Sequence, residues 1–360
     1  MITNDTNFAW NLRREVLATF VEEGWATCLV AQVLGFKEEM ENMGIELVDV
    51  KIDRRGKNPF SDIRLLKKYL KVLKKQNPDL VFTNNTKPNI YAGLACQICK
   101  IPYVANITGL GTAVETSGKL QWLSTKMYKC GVKKAETLFF QNQQNQLFFH
   151  QRRMIGKNTN EKLLPGSGVN LVTHPLLPYP EDDITNFLFV ARILKEKGID
   201  LFLAAARKFH SDRVKFHICG MCDDEKYKKI LEEEQKNGTV IYHGEQKNMR
   251  PFFEMCSCVL HPSYYPEGMS NVLLEGAACG RPLICADRAG CRETVDDGVT
   301  GFVVPVQDEV AVLSAVEKFL LMSQEERKQM GLAGRKKVER EFDRQIVVNE
   351  YLKEISRNKK

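Results

Sequence analysis

The chain contains no run of the ~18 uninterrupted apolar residues that a membrane-spanning helix needs. It does not open on a secretory leader either, because Met1-Ile2-Thr3-Asn4-Asp5-Thr6 turns polar at once. Without a leader, its 11 cysteines read as reduced thiols of a cytoplasmic protein, not as a disulfide framework. Cys96-x2-Cys99 and Cys219-x2-Cys222 stand far apart in the chain, whereas the two pairs of a zinc ribbon lie ~15–20 residues from each other. They read as small buried residues. The six histidines show no His-Glu-x-x-His spacing and no Ser-His-Asp arrangement. His243 and His261 read as structural. An Asp-x-Asp pair is also missing, and Asp223-Asp224 and Asp296-Asp297 are adjacent acids in turn contexts. Neither a resident metal nor another cofactor is expected. Motifs that read bases are absent, so nucleic acid is not an expected partner. No internal repeat is visible, and the polar Gln141–Gln146 tract is too short to suggest a role.

What remains is an ordinary globular composition: 360 residues, 43% apolar and 27% charged, with 24 Gly and 13 Pro. That length suits two domains. Charge is uneven. Residues 1–170 hold 24 Lys+Arg against 15 Asp+Glu, and the remaining residues hold 28 against 30. A basic first half suggests an anionic partner such as a membrane surface or a phosphorylated substrate, the alternative being a solvated basic surface.

Short apolar runs alternate with longer helical patterns. Strands are expected at Thr27–Gln32, Glu46–Asp49, Leu80–Thr83, Tyr103–Ile107 and Thr137–Phe140, with helices including Asn11–Glu23 and Asp62–Gln76. The second half repeats the plan, with strands at Phe187–Val190, Lys215–Cys219, Val240–Tyr242, Cys258–His261, Pro282–Cys285 and Gly301–Val303. This alternation predicts parallel sheets covered by helices on both faces, in two doubly wound α/β domains. The proline-rich segment Val172–Asp183 cannot continue a helix or central strand. The expected division is 1–172, a linker at 173–183, 184–340, and a C-terminal helix at 341–360 that could return to the first domain. The opening strand looks truncated, because Thr3–Asn7 is turn-like, and a start upstream of Met1 is the favoured explanation.

The densest chemical signal runs from Cys258 to Pro305. A strand ends at His261-Pro262-Ser263, and a loop carries Pro266-Glu267-Gly268-Met269-Ser270-Asn271. Glu275 then lies about one turn inside the helix that follows. Ser270 or Asn271 would cap that helix, and its first-turn amides would favour an anion above the strand ends. Pro-Ser-x2-Pro-Glu-Gly-Met-Ser-Asn-x3-Glu-x3-Cys-Gly-Arg-Pro resembles the signature of glycosyltransferase family 4, retaining enzymes of the GT-B fold. Ala289–Val295 and Gly298–Pro305 continue the pattern. Phe189–Gly198 is similar to the family's strand–Arg–Leu–x3–Lys–Gly segment, with Arg192 a planar fork and Lys197 a compact charge suited to a diphosphate.

The resemblance implies two Rossmann-like domains facing across a cleft, and transfer of a hexose or N-acetylhexosamine with retention. The donor would be a nucleotide-diphosphate sugar, with UDP first among the nucleotides. The acceptor would be a hydroxyl of a lipid-linked sugar in polysaccharide or glycan assembly of the cell envelope. Arg192, Lys197 and Glu267 would be catalytic. Glu275 would accept from the ribose hydroxyls, and the backbone of Gly268, Met269, Ser270 and Asn271 would lie beside sugar and phosphates. The base would sit over the stretch from Gly220 to Gly244. On the acceptor side, Asn84–Tyr91 and Asn106–Thr112 resemble segments of enzymes that extend lipid-linked oligosaccharides, and Asn106, Thr108 and Gly109 stand where many relatives carry a His. No side-chain base is evident, which fits a leaving phosphate that takes the acceptor proton. The rival readings are a GT-B sugar-nucleotide epimerase and a non-catalytic partner that has kept the fold.

Two basic stretches bear on location. Ser61–Gln76 places Ile63, Leu66, Leu70 and Leu73 on one stripe among six Lys and Arg, as an ordinary domain helix would. Lys119–Lys134 combines Leu120, Leu123 and Met127 with Trp122 and five lysines, a pattern that suits reversible contact with an anionic inner membrane face or, equally, an ordinary helix with a solvated basic face.

Overall fold

A computed structural model describes residues 1–53, 59–110 and 119–358, with all their side chains except those of Pro59, Lys119 and Leu120. Gly111 and Thr112, at the end of the second acceptor-side segment, lie outside the described residues, as does the Leu120 side chain. The chain divides into two compact units. The first holds Met1–Gly168, Pro266–Met269 and Arg344–Lys360, and the second Val169–Tyr265 and Ser270–Asp343.

The first unit is built on β1 (Ile2–Asp5), β2 (Cys28–Gln32), β3 (Glu46–Asp49), β4 (Val81–Asn84), β5 (Tyr103–Ile107), β6 (Thr137–Phe140) and β7 (Asn160–Leu163). Their order is β3-β2-β1-β4-β5-β6-β7, and all are parallel. Its helices are α1 (Thr6–Glu22), α2 (Lys37–Asn42), α3 (Pro59–Gln76), α4 (Thr86–Cys99), α5 (Lys119–Val132) and α6 (Gln143–Gln151). Thr3 and Asn4, expected in a turn, are strand residues, and α1 begins at once because Asp5 Oδ1 accepts from the Phe8 amide at 2.8 Å.

The α3 stripe is also turned relative to expectation. Leu65, Tyr69 and Leu73 are buried, whereas Ile63 is exposed. Leu65, Tyr69 and Leu73 lie at i, i+4 and i+8, while Leu66 and Leu70 of the expected stripe pack partly buried at the flank of the same core. Burying each such side chain contributes about 1.5–3 kcal/mol.

The second unit holds β8 (Thr185–Val190), β9 (Val214–Cys219), β10 (Ile241–Tyr242), β11 (Cys258–His261), β12 (Leu283–Ala286) and β13 (Gly301–Val304), in the order β10-β9-β8-β11-β12-β13 and again parallel. The helices are α7 (Ile199–Phe209), α8 (Glu225–Lys236), α9 (Arg250–Met255), α10 (Asn271–Ala278), α11 (Glu309–Leu321) and α12 (Gln324–Glu341). In both sheets the strand order reverses beside the first strand, at β1/β4 and at β8/β11. Open sheets of this kind bind ligands outside the carboxyl ends at such a reversal.

The last helix, α13 (Arg344–Arg357), belongs to the first unit. Tyr351 packs against Phe82 and Phe139 at ring centroid distances of 4.9 and 5.1 Å, and Arg344 pairs with Glu15 at 2.8 Å.

Candidate functional site

In the second unit, the segments after β8 and β11 meet at the β8/β11 reversal. Arg192 follows β8 and is exposed. Lys197 lies in the next turn, its Nζ 4.6 Å from the centre of the Tyr265 ring. That turn is tied to the end of β11: Tyr264 N donates to Glu196 O at 3.0 Å, and a Cβ on Gly198 would overlap Pro262 O. Only glycine fits there, so the backbone carrying Lys197 is pressed onto the strand end. Gly220, ending β9, approaches β8 as closely, since a Cβ would overlap Ala191 O. Its amide donates to Gly244 O at 2.8 Å. Arg192, Lys197, Gly220 and Gly244 thus share one edge of one sheet.

Helix α10 starts on that edge. Ser270 is its N-cap residue, as expected, but its hydroxyl makes no capping bond. Ser270 is buried, and neither its Oγ nor Asn271 Oδ1 has a hydrogen-bond partner among the described residues. Buried polar groups are normally satisfied, and an unused hydroxyl at a helix N-terminus suits an anion with oxygens to offer and accept through. Glu275 sits half-exposed one turn further on.

Glu267, Gly268 and Met269 group with the first unit. There Asn142 Nδ2 donates to Glu267 O at 3.2 Å and to Gly268 O at 2.7 Å. Gly109 and Thr108 adjoin the same segment: a Cβ on Gly109 would stand 3.5 Å from Gly268 N, and one on Gly268 would stand 2.7 Å from Thr108 O. Asn106 does not join them. Its side chain is buried on the sheet face, donating to Tyr351 Oη at 2.8 Å, because Asn84 and Asn106 are paired in register and both point at α13. Asn85, after β4, reaches Thr108 Oγ1 at 3.4 Å.

Arg13 was legible only as part of a helix start, yet it is fully buried. It donates to Asn84 Oδ1 at 3.0 Å and to Ser167 Oγ at 2.9 Å. Ala9, Arg13, Val16, Leu17 and Phe20 share the buried face of α1, so a cation on an apolar stripe was the available signal. Arg281 of the Gly-Arg-Pro motif is likewise structural, donating to Phe253 O at 2.8 Å and to Pro178 O at 2.6 Å.

The two acidic pairs have local uses. Asp224 Oδ1 accepts from the Lys226 amide at 2.9 Å, and Asp296 pairs with Lys337 at 2.8 Å. Among the described residues, no three His, Cys, Asp or Glu side chains converge as a metal site. His261 is buried, and burial, then the Lys197 cation, push its pKa down to about 3. His217 lies against His243 with Nδ1···Nε2 at 3.0 Å, and burial first, then His243, push His217 down to about 4. Burial lowers His243 as well. All three stay neutral near pH 7.

Residues 180–337 match the family described as glycosyl transferases group 1, and residues 8–142 match the family described as glycosyl transferase 4-like. One curated relative is the N,N'-diacetylbacillosaminyl-diphospho-undecaprenol alpha-1,3-N-acetylgalactosaminyltransferase of Campylobacter jejuni. It is 26% identical over 337 residues, covering 88% of this chain and 87% of the relative. Among solved structures, sucrose-phosphate synthase from Thermosynechococcus elongatus aligns with a TM-score of 0.79 at 18% identity, covering 99% of this chain and 98% of that one. HepE of Anabaena, solved with UDP and glucose, aligns with a TM-score of 0.77 at 16% identity, covering 99% of each chain. The two family matches together span both units, and the chain belongs to the glycosyltransferases, a 4-like domain followed by a group 1 domain on the GT-B fold.

Proposed function

We propose that this glycosyltransferase moves a hexose or N-acetylhexosamine, with retention, from a nucleotide-diphosphate sugar to a hydroxyl of a lipid-linked sugar in glycan assembly. UDP is the nucleotide to test first, since HepE was solved with it. One observation carries the donor side: the exposed Arg192, Lys197 and the unused Ser270 hydroxyl at the start of α10 share the β8/β11 edge. Two cations and a helix N-terminus aimed at a departing diphosphate stabilise the charge that grows in the transition state. Glu275 then receives the ribose hydroxyls and Glu267 the hydroxyls of the sugar, while the leaving phosphate takes the acceptor proton. A diphospho-undecaprenol substrate in the name of the Campylobacter relative supports the lipid-linked acceptor.

Incubating the chain with a panel of UDP-sugars, with and without an undecaprenyl-diphosphate-linked sugar, tests this. Transfer giving an anomer that matches the donor is expected. A C2-inverted sugar formed without acceptor would instead identify an epimerase. With the two cations serving the phosphates, transfer should survive excess EDTA. Loss of activity that Mn²⁺ or Mg²⁺ restores would overturn that division of labour.

The reading extends to the membrane. No described helix is long and apolar enough to cross one. On α5, however, Trp122 is 59% exposed and Leu123 49%, with Lys126 Nζ 3.7 Å from the Trp122 ring centre. Each Lys near anionic lipid contributes about 1 kcal/mol, so four or five would hold the chain reversibly on a surface where a lipid-linked acceptor is concentrated. Binding to phosphatidylglycerol vesicles should be salt-sensitive and absent with phosphatidylcholine. The variant K126E/K129E/K133E/K134E should not bind, yet should still hydrolyse donor. Equal binding by that variant would make α5 an ordinary solvated helix.

A further inference from the structure

The short polar tract Gln141–Gln146 suggested no role in the sequence, yet one of its side chains is used at both ends. Asn142 is the N-cap residue of α6: its Oδ1 accepts from the Asn145 amide at 2.8 Å. Its Nδ2 donates to the carbonyls of both Glu267 and Gly268. A backbone N–H on one side and two carbonyls on the other leave a single orientation for the carboxamide. Asn142 is 2% exposed, so these bonds are shielded from water.

Capping alone does not require asparagine, since serine and aspartate cap helices about as well. Holding two carbonyls while capping does, because serine offers one proton and aspartate none. A second, independent contact fixes the same backbone. A Cβ on Gly268 would overlap Gln141 Oε1, so the segment rests directly on the Gln141–Asn142 corner.

We propose that Asn142 is a positioning residue for glycosyl transfer: it anchors the peptide units flanking Gly268 and thereby aims the Glu267 carboxylate. This rests on the proposed role of Glu267 toward the donor sugar. Asn142 itself touches neither donor nor acceptor in this scheme, and its effect passes through the Glu267 backbone.

Three variants, Asn142→Ser, Asn142→Asp and Glu267→Gln, separate the possibilities. UDP release from the UDP-sugar of greatest wild-type turnover is measured beside calorimetric binding of UDP alone and thermal melting. Both Asn142 variants keep the α6 cap, so melting should stay near wild type, and UDP should bind within about twofold. Their kcat should fall at least tenfold, and further in Asn142→Asp than in Asn142→Ser, because a carboxylate would face two carbonyl oxygens. A residue that only caps α6 would not move kcat in these variants. If both Asn142 variants kept more than half of wild-type kcat while Glu267→Gln lost activity, the anchoring role would be overturned and Glu267 would stand. Wild-type turnover in Glu267→Gln would overturn the role of Glu267, and with it the thing Asn142 is said to position. Loss of UDP binding in step with kcat would also overturn the proposal, since the damage would then be general.

Discussion

Arg192→Ala and Lys197→Ala should each lower kcat by about 10²–10³, the cost of removing one donor that stabilises transition-state charge. Neither change should disturb folding. Arg192 is exposed, and the ring contact of Lys197 with Tyr265 is worth about 0.5–1 kcal/mol at such a site. Because the charge on the bridging oxygen grows as the sugar leaves, kcat and kcat/KM should fall together, with donor KM moving little. Arg192→Lys should recover only part of the loss, since a point charge cannot reproduce a two-pronged contact. The Lys197 backbone has little freedom to compensate, being pinned by Gly198 against Pro262 and by the Glu196–Tyr264 bond. Steady-state kinetics with the preferred UDP-sugar decide the matter. Wild-type kcat in both alanine variants would remove the diphosphate from this edge of the sheet.

That edge was legible because its residues sit in segments with strong local rules. β8, β9, β11 and β12 each carry a stretch of buried apolar residues, Phe187–Phe189, Phe216 with Ile218 and Cys219, Cys258–Leu260 and Leu283–Ala286, as central parallel strands do. Arg192 follows β8 almost at once, Lys197 stands in the turn after it and Glu275 in the helix that follows β11, so their place in the fold came with the strands. β1 broke the rule. Its Thr3 and Asp5 are buried but polar, with Asp5 engaged as a helix cap, and in Thr6, the first residue of α1, Oγ1 accepts from the Leu34 amide at 3.1 Å. A pattern rule that equates burial with apolarity reads such a strand as a turn. β7 went unread for the opposite reason: Asn160–Leu163 is an edge strand with one side paired, and its side chains are largely outside the core.

The proposed acceptor side was less legible, because its residues meet partners distant in sequence. Asn106 was singled out by resemblance, but its neighbours on the sheet face are Asn84 and, 245 positions away, Tyr351. No local pattern announces that pairing. Ser270 illustrates a different limit. Sequence correctly marks it as the N-cap position of α10, yet its hydroxyl is left unused there, and only coordinates distinguish a cap from a group held open.

Acid should destabilise the second unit through two buried histidines. His217 and His261 have folded pKa values pushed down to about 4 and about 3, against ~6.5 in an unfolded chain. The unfolded state therefore binds more protons between those values. Stability is complete above about pH 6.5 and is lost as pH falls through 6.5 toward 4, where the folded state begins to accept the protons too. Integrated from pH 7 to pH 5, each ring costs about 2 kcal/mol, so the pair costs about 4. Both lie in the second unit, while Trp10, Trp25 and Trp122 all lie in the first. Tryptophan fluorescence thus follows one unit and circular dichroism follows both. At pH 5 the dichroism transition in urea should begin on the order of 1–2 M earlier than at pH 7, with the fluorescence transition moving less. His261→Leu should recover about half of the shift, because neither ring nitrogen of His261 has a hydrogen-bond partner among the described residues and an apolar side chain forfeits nothing there. The same substitution in a site where the ring contacts substrate would instead abolish turnover, so kcat at pH 7.5 is measured alongside. Superimposable transitions at the two pH values would mean that His217 and His261 titrate as they do in water, and that the second unit opens around them.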